Sequence, residues 1–459
     1  MTKAAVRKLR KSSIIKRFLG SARGNVAIMF SLSAIPLIMA AGAALDYMRA
    51  SDTHARMERA LDAAALAVGN SPGLTNAEMR QLAIRYFREN YPNSTEEIDA
   101  AIKVKVTGER ISLSIEAQVP TTLLRIMGYK DIPIHISNEV MRSATNLEVA
   151  LALDITGSMG SANSSTSKIS ALKVAAKDLV DILVADNQSN FYSKLALAPY
   201  SAAVNPGALA DTLRGVPNAG TCTIPGCQKY TFKNQLNNNV TYDITGCVTE
   251  RTGPEAFTDA SPIPATAKLG RQYHSSQSAC PSAMIVPLST DKSLLKSRID
   301  ALTTTGTTAG HIGIAWTWYM LSPNFNSIWT GDSKPAPYGT DKLIKAAIIM
   351  TDGLFNTAYC NGVLSADSTD VGSKSSRINC NASNGTAVPQ ALALCSAMKN
   401  AGIIVYTVGF DLANEPGAAQ MLSKCASSPA HAYSATTGAE LKTAFRDIGA
   451  ELSQLRLSR

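Results

Sequence analysis

Between Val26 and Leu45 the chain runs for twenty residues without a charged side chain, and that run limits what its 459 residues can fold into. As a helix it spans about 30 Å, the thickness of a bilayer's hydrocarbon core. Lys3, Arg7, Lys8, Arg10, Lys11, Lys16, Arg17 and Arg23 precede it, with no acid among them. The net charge is +9, so almost all of the excess lies on this arm and the remainder is near neutral. A nucleic-acid-binding protein would carry its basic stripe on the folded body, so no nucleic acid is expected as a partner. Basic residues on the N-terminal side favour a cytoplasmic N-terminus. The body then lies across the membrane, in the periplasm of a Gram-negative cell. A cleaved signal peptide is a rival, with Ala41-Gly42-Ala43 as its small-residue site. A buried core helix is another, but it leaves the basic cluster unexplained. The length of the run and the amphipathic segment after it favour a retained, single-pass inner-membrane anchor.

None of the eight cysteines precedes Cys222. An even number in a translocated body suggests disulfides. Cys360 with Cys380 and Cys395 with Cys425 are the preferred pairs, because each closes a local excursion. Cys222, Cys227, Cys247 and Cys280 share the other two, and a four-cysteine zinc site is the rival for that group.

Residues 24–46 read as the anchor and 47–145 as an amphipathic helix followed by a small α+β unit. Met48, Met57, Leu61, Ala64 and Leu66 keep helical spacing until Ser71-Pro72-Gly73, and the anchor can run on into this segment as one long helix. A second helix covers Asn76 to Tyr91. Ile102–Thr107 and Ile111–Val119 alternate around Gly108-Glu109-Arg110 as a hairpin, and Ile132–Met141 is a third strand. From residue 146 to 459 strands and helices alternate. The apolar runs Leu147–Ile155 and Ala346–Thr351 suit strands of a parallel sheet covered on both faces. The expected fold is α/β, a doubly wound, mostly parallel sheet. Residues 202–290 and 354–387 interrupt it as polar, disulfide-tied insertions.

Three separated pieces complete one another: Asp154-Ile155-Thr156-Gly157-Ser158, Thr307-Thr308 and Met350-Thr351-Asp352-Gly353. Asp154 and Asp352 each close an apolar strand, where ligands bind in open α/β sheets. Thr156 and Ser158 follow at steps of two, and Thr308 opens the helix over His311–Leu321. Two carboxylates and three hydroxyls suit a hard divalent cation, Mg2+ first, with Ca2+ or Mn2+ possible. Neutral hydroxyl ligands leave such an ion electrophilic, open to an acidic group from a partner. Alone, the first motif could equally be a turn or a helix cap.

The set resembles the metal-ion-dependent adhesion site of the von Willebrand factor A domain: Asp-x-Ser-x-Ser, a distant Thr and an Asp in Thr-Asp-Gly. Thr156 stands at the middle Ser and keeps the hydroxyl. By this resemblance Asp154 and Asp352 act through water, while Thr156, Ser158 and Thr308 coordinate directly, with Thr307 as the alternative to Thr308. Gly24-Asn25-Val26-Ala27-Ile28-Met29-Phe30, Pro36 and Leu45-Asp46 resemble the N-terminal segment of TadE and TadG proteins. Thr308-Ala309-Gly310-His311-Ile312-Gly313, Ala315-Trp316 and the closing helix with Phe445, Ile448, Leu452 and Leu455 resemble TadG. This implies a component of Flp (tight adherence) pilus assembly, with TadE-like pseudopilins as partners. Met29 stands where processed pilins carry Glu, so no prepilin cleavage is expected.

Ile155 breaks any likeness to the Asp-Thr-Gly of aspartic proteases, and no second copy forms a dyad. No Gly-x-Ser-x-Gly elbow or phosphate-binding loop occurs. His311 reads as packing at a helix start, with a role supporting the metal ligands as the alternative. Two rivals to a pilus role are an envelope-anchored adhesion or scaffold protein and a metal-dependent hydrolase using Asp154 or Asp352. The hydrolase lacks a general base beyond the ligands themselves, so no enzyme is expected.

Overall fold

The computed structural model describes residues 22–458 except 70, 72–73, 108–109, 142–144, 161, 164–165, 187, 189–190 and 276–277. The basic arm up to residue 21, the Pro72-Gly73 stop and the Gly108-Glu109 turn lie outside the described residues. The chain divides into two compact units, Met1–Arg142 and Ser143–Arg459, each with its own core.

The first unit is built on α1, Ala22–Gly69, one helix of 48 residues containing Pro36. Its first half bares Val26, Met29, Phe30, Leu32, Ile35, Leu37 and Ile38. By length and composition α1 can cross a membrane. Its second half instead buries Met57, Leu61, Ala64 and Val68, one helical face. They meet Met79, Ala83 and Phe87 of α2, Asn76–Asn90. A Thr75/Glu78 capping box starts α2 and satisfies its first amides. A short helix, α3, Glu96–Ala100, follows it. The rest of the core comes from an antiparallel sheet of β1, Lys103–Thr107, β2, Arg110–Pro120, and β3, Asp131–Met141. Ile111, Leu113 and Ile115 of β2 point inward at period two.

The second unit begins with β4, Asn146–Asp154, α4, Lys168–Leu183, and β5, Ser193–Tyr200. Next come β6, Asn218–Cys222, β7, Cys227–Lys233, β8, Asn239–Thr249, and β9, Gly270–Tyr273. Then follow β10, Val286–Ser289, α5, Lys292–Asp300, α6, Gly310–Leu321, and β11, Leu343–Thr351. The chain closes with α7, Ala387–Asn400, β12, Ile404–Phe410, α8, Pro416–Cys425, β13, Ala432–Ala435, and α9, Gly438–Ser458. The central sheet has the order β10-β5-β4-β11-β12-β13. It is mixed: β5, β4, β11, β12 and β13 run parallel, and β10 pairs antiparallel with β5 at one edge.

Alternation along β4 explains its continuous apolar run. Leu147, Val149, Leu151 and Leu153 face a core shared with α4, α5 and α9, while Ala150 and Ala152 face α6 and α7. The small residues lie where α6 needs room. Every residue of α6 is buried, Trp316 and Tyr319 included. Gly313 lets α6 approach the sheet, because a Cβ there would stand 2.4 Å from the Tyr200 ring.

The stretches expected to be insertions are more ordered than their composition suggests. β6 to β9 form a four-stranded sheet, and Tyr230, Phe232 and Tyr273 from it share a small core with Cys360, Val363 and Ile378. The two stretches therefore fold as one lobe. β10 lies inside the first stretch yet belongs to the central sheet; it is only four residues long and holds Pro287, so no strand pattern marks it. The ten-residue helix α8 is a further element that no pattern noted in the sequence marks. The disulfides are Cys222–Cys227, Cys247–Cys280, Cys360–Cys380 and Cys395–Cys425. The two preferred pairs form, and pairing of the other four removes the zinc alternative.

All three tryptophans are in this core, Trp316 and Trp318 on α6 itself and Trp329 packed with it. Gly313→Ala should overpack this contact and cost about 1–3 kcal/mol. The check is the unfolding midpoint followed by tryptophan fluorescence; an unchanged midpoint would show that Tyr200 moves aside freely.

Candidate metal centre

Three neighbouring strands of the central sheet, β4, β11 and β12, run parallel, and an aspartate stands at the carboxyl end of each. Asp154 is the last residue of β4, Asp352 follows β11 and Asp411 follows β12. Parallel pairing brings those ends to one edge, the usual place for a site in such sheets.

Asp154 is fully buried. Its Oδ1 accepts from the Thr156 N–H at 2.9 Å and from Thr156 Oγ1 at 2.6 Å. Its Oδ2 accepts from Thr351 Oγ1 at 2.7 Å and from the Tyr200 hydroxyl at 3.3 Å. Thr156 Oγ1 and Ser158 Oγ are 2.9 Å apart, and Ser158 Oγ donates to Asp352 Oδ1 at 2.6 Å. Asp154, Thr156, Ser158 and Asp352 thus form one unbroken row of oxygens.

The loop before α6 lies alongside this row. Its Gly306 carbonyl accepts from the Gly157 N–H at 3.0 Å, and its Thr305 N–H donates to the Ile155 carbonyl at 2.9 Å. The Thr308 N–H donates to Asn356 Oδ1 at 3.1 Å, and its carbonyl accepts from the Asn356 N–H at 3.0 Å. Thr308 is therefore placed by its backbone. Among the described residues no hydrogen bond links its hydroxyl to the other four expected ligands. Thr307 Oγ1 is buried without a hydrogen-bond partner.

Two charged residues escaped the sequence reading. Lys168, at the start of α4, places Nζ 3.0 Å from Asp352 Oδ2 and 3.2 Å from Asp411 Oδ2. Nothing in the sequence around Lys168 marks it. Asp411 carries the same sequence signal as Asp154 and Asp352, an acid at the end of an apolar strand. It takes a left-handed φ of 58°, which Asp tolerates better than most residues.

Burial, then repulsion from Asp352, pushes the Asp154 carboxyl up to about 6, against the pull of hydrogen bonds from Thr156 and Thr351. Burial works against the Lys168 ammonium, but Asp352 and then Asp411 outweigh it and hold its pKa above the usual lysine value.

The donor set fits a small divalent cation. The row from Asp154 Oδ1 to Asp352 Oδ1 has three close oxygen–oxygen contacts, but its two hydroxyls bring only two protons. With both carboxyl groups ionised the two protons point to Asp154 and Asp352, which leaves lone pairs of Thr156 and Ser158 facing each other at 2.9 Å, an arrangement a cation would also satisfy. Adjacent oxygens of an octahedral Mg2+ shell stand about 3 Å apart, given metal–oxygen distances near 2.1 Å. The contacts of 2.6 and 2.9 Å approach that spacing. Asp154, Asp352 and Asp411 also outnumber the single ammonium of Lys168. Among the described residues no cluster of three or more His, Cys, Asp and Glu side chains is arranged to hold a metal; a cation at this site would take hydroxyl oxygens as well as carboxylates.

Residues 24–71 match the family model of the TadE/G-like Flp pilus-assembly domain. No curated protein matches the chain in sequence. Several solved structures show a distant likeness. The von Willebrand factor domain of the type V pili tip protein Mfa5 from Porphyromonas gingivalis is 13% identical, over 69% of this chain and 97% of that one, with a TM-score of 0.37. The pilus adhesin SpaC from Lactobacillus rhamnosus GG is 14% identical over 77% of this chain, with a TM-score of 0.35. The match spans only 34% of SpaC. Proximal thread matrix protein 1 from the mussel byssus, with a zinc-occupied MIDAS motif, is 11% identical over 68% of this chain and 46% of that one, with a TM-score of 0.30. At such scores neither fold nor role carries over.

The raised Asp154 pKa fixes a sign. A carboxyl that binds its proton more tightly folded than unfolded adds stability below its unfolded value of 3.8, lost as pH rises through about 6. In chelator, the stability of wild type relative to Asp154→Asn should therefore fall across that window. Thermal melts at stepped pH read this directly, and a flat difference would refute it. Lys168→Met should lower the melting temperature in chelator and enlarge the rise on adding Mg2+, because Asp352 and Asp411 lose their counter-charge. An unchanged Mg2+ response would mean that the ammonium does not compete with a cation there.

Proposed function

We propose that this protein is a membrane-anchored component of Flp, or tight adherence, pilus biogenesis. In this reading residues 1–23 are a cytoplasmic arm, 24–46 cross the inner membrane, 47–145 stand in the periplasm as the α+β unit, and 146–459 form a von Willebrand factor A-like binding domain. The pilus assignment is supported by the family match over residues 24–71. Spanning is supported by the apolar first half of α1.

The binding role rests on the oxygen row from Asp154 to Asp352, with three contacts and two hydroxyl protons. Asp154, Thr156, Ser158 and Asp352, with Thr308 from the neighbouring loop, would hold the cation, Mg2+ by the preference of hydroxyl and carboxylate oxygens. When bound, the ion supplies an electrophilic open position for an acidic side chain of a partner, such as a TadE-like pseudopilin. Thr156 and Ser158 would leave the ion's charge undiminished, since hydroxyls are neutral. Thr351 and Tyr200 hydrogen-bond the Asp154 carboxylate, and Lys168 donates to the Asp352 oxygen that lies outside the row. The role is recognition, without bond making or breaking.

The test is surface piliation in a strain whose only copy carries Asp154→Ala, with protein abundance followed by blot. Pili should disappear while the protein persists. Normal piliation would make the site dispensable for assembly and favour an envelope adhesion or scaffold role.

A further inference from the structure

The connection between β2 and β3 is bolted to α1. The Thr121 N–H donates to the Lys130 carbonyl at 2.9 Å and its hydroxyl to the Tyr129 carbonyl at 2.5 Å, closing the base of the turn. Asp46 on α1 then receives three backbone amides from the turn: Thr122 on Oδ1 at 3.0 Å, and Leu123 and Leu124 on Oδ2 at 2.7 Å each. Arg49 Nη1 donates to Thr122 Oγ1 at 3.0 Å. Leu123 lies directly over Gly42, where a Cβ would stand 2.8 Å from the Leu123 Cβ. The turn is thereby fixed against residues 42–49.

That height matters, because the uncharged run of α1 ends at Leu45. At 1.5 Å per residue, Gly42 lies about 5 Å inside the run. The turn therefore hangs beside the helix where it leaves the apolar stretch. Its tip is apolar and uncovered: Ile126 is 81% exposed, Met127 45% and Tyr129 64%. Tyr47, just past the run on α1, is 70% exposed. Arg125 and Lys130 on the same turn are also exposed. Apolar residues ringed by tyrosine and basic side chains are the composition of a segment lying in a bilayer interface.

We propose that the Leu123–Tyr129 turn is a second membrane contact, with Ile126 and Met127 in the acyl region of the periplasmic leaflet, Tyr47 and Tyr129 at headgroup level, and Arg125 and Lys130 against lipid phosphates. This rests on the reading that α1 spans the bilayer. A single helix is free to rotate about its axis; the added contact fixes one face of the α+β unit toward the membrane.

All eight cysteines are paired, so one introduced thiol can be labelled selectively. The full chain is reconstituted in phosphatidylethanolamine–phosphatidylglycerol vesicles with an environment-sensitive fluorophore at Ile126→Cys, at Leu37→Cys within the apolar run, or at Arg110→Cys at the opposite end of β2. The label at 126 should lose emission to doxyl-labelled lipid nearly as much as that at 37, and resist iodide. The label at 110 should do the reverse. Loss to iodide but not to lipid at 126, with 37 still lipid-quenched, would overturn the proposal and leave the spanning helix intact. Protection of 126 from both quenchers would mean a protein cover and also overturn it. If 37 escapes the lipid quencher, the spanning reading fails and the second contact falls with it.

Discussion

Parallel backbone pairing of β4, β11 and β12 brings three aspartates to one edge of the central sheet, and the site depends on that alignment. The arrangement costs free energy. Asp154 sits in a fully buried position with Asp352 close enough to raise its pKa. Buried carboxylates persist only with hydrogen bonds or counter-charge. Here Thr156, Thr351 and Tyr200 supply the hydrogen bonds and Lys168 the counter-charge. One contact of the oxygen row, between Thr156 and Ser158, is left without a proton when both carboxyl groups are ionised.

The core around α6 holds the loop before that helix in place. Alanines on one face of β4 and β5 leave room for Trp316 and Tyr319, and Gly313 removes the last obstruction at Tyr200. Because α6 is buried on every side, the loop before it has little freedom, and its backbone bonds to Ile155, Gly157 and Asn356 follow. Tyr200 connects the two features, since it packs against α6 with its ring and reaches Asp154 with its hydroxyl.

In the first unit one helix serves two environments. Before Asp46 its apolar side chains point outward on all sides; after it, Met57, Leu61, Ala64 and Val68 gather on one face against α2 and the three-stranded sheet. Asp46 marks the change and spends both carboxylate oxygens on the turn between β2 and β3.

The long N-terminal helix, the α+β unit, the central strands β4 and β11 and two disulfide pairs are legible in the sequence, because hydrophobic periodicity and cysteine spacing are local signals. The sequence also marked Asp154, Thr156, Ser158 and Asp352, whose motifs sit at strand ends. Only the tertiary structure joined those four into one hydrogen-bonded row, and only it placed Lys168 between Asp352 and Asp411. Ion pairs between residues so far apart in the chain have no periodicity to read. The strand Val286–Ser289 and the folded lobe shared by the two polar stretches were decided in the same way. A four-residue strand containing proline acquires its identity from the neighbour it pairs with, and a small core drawn from two distant segments exists only once both have met.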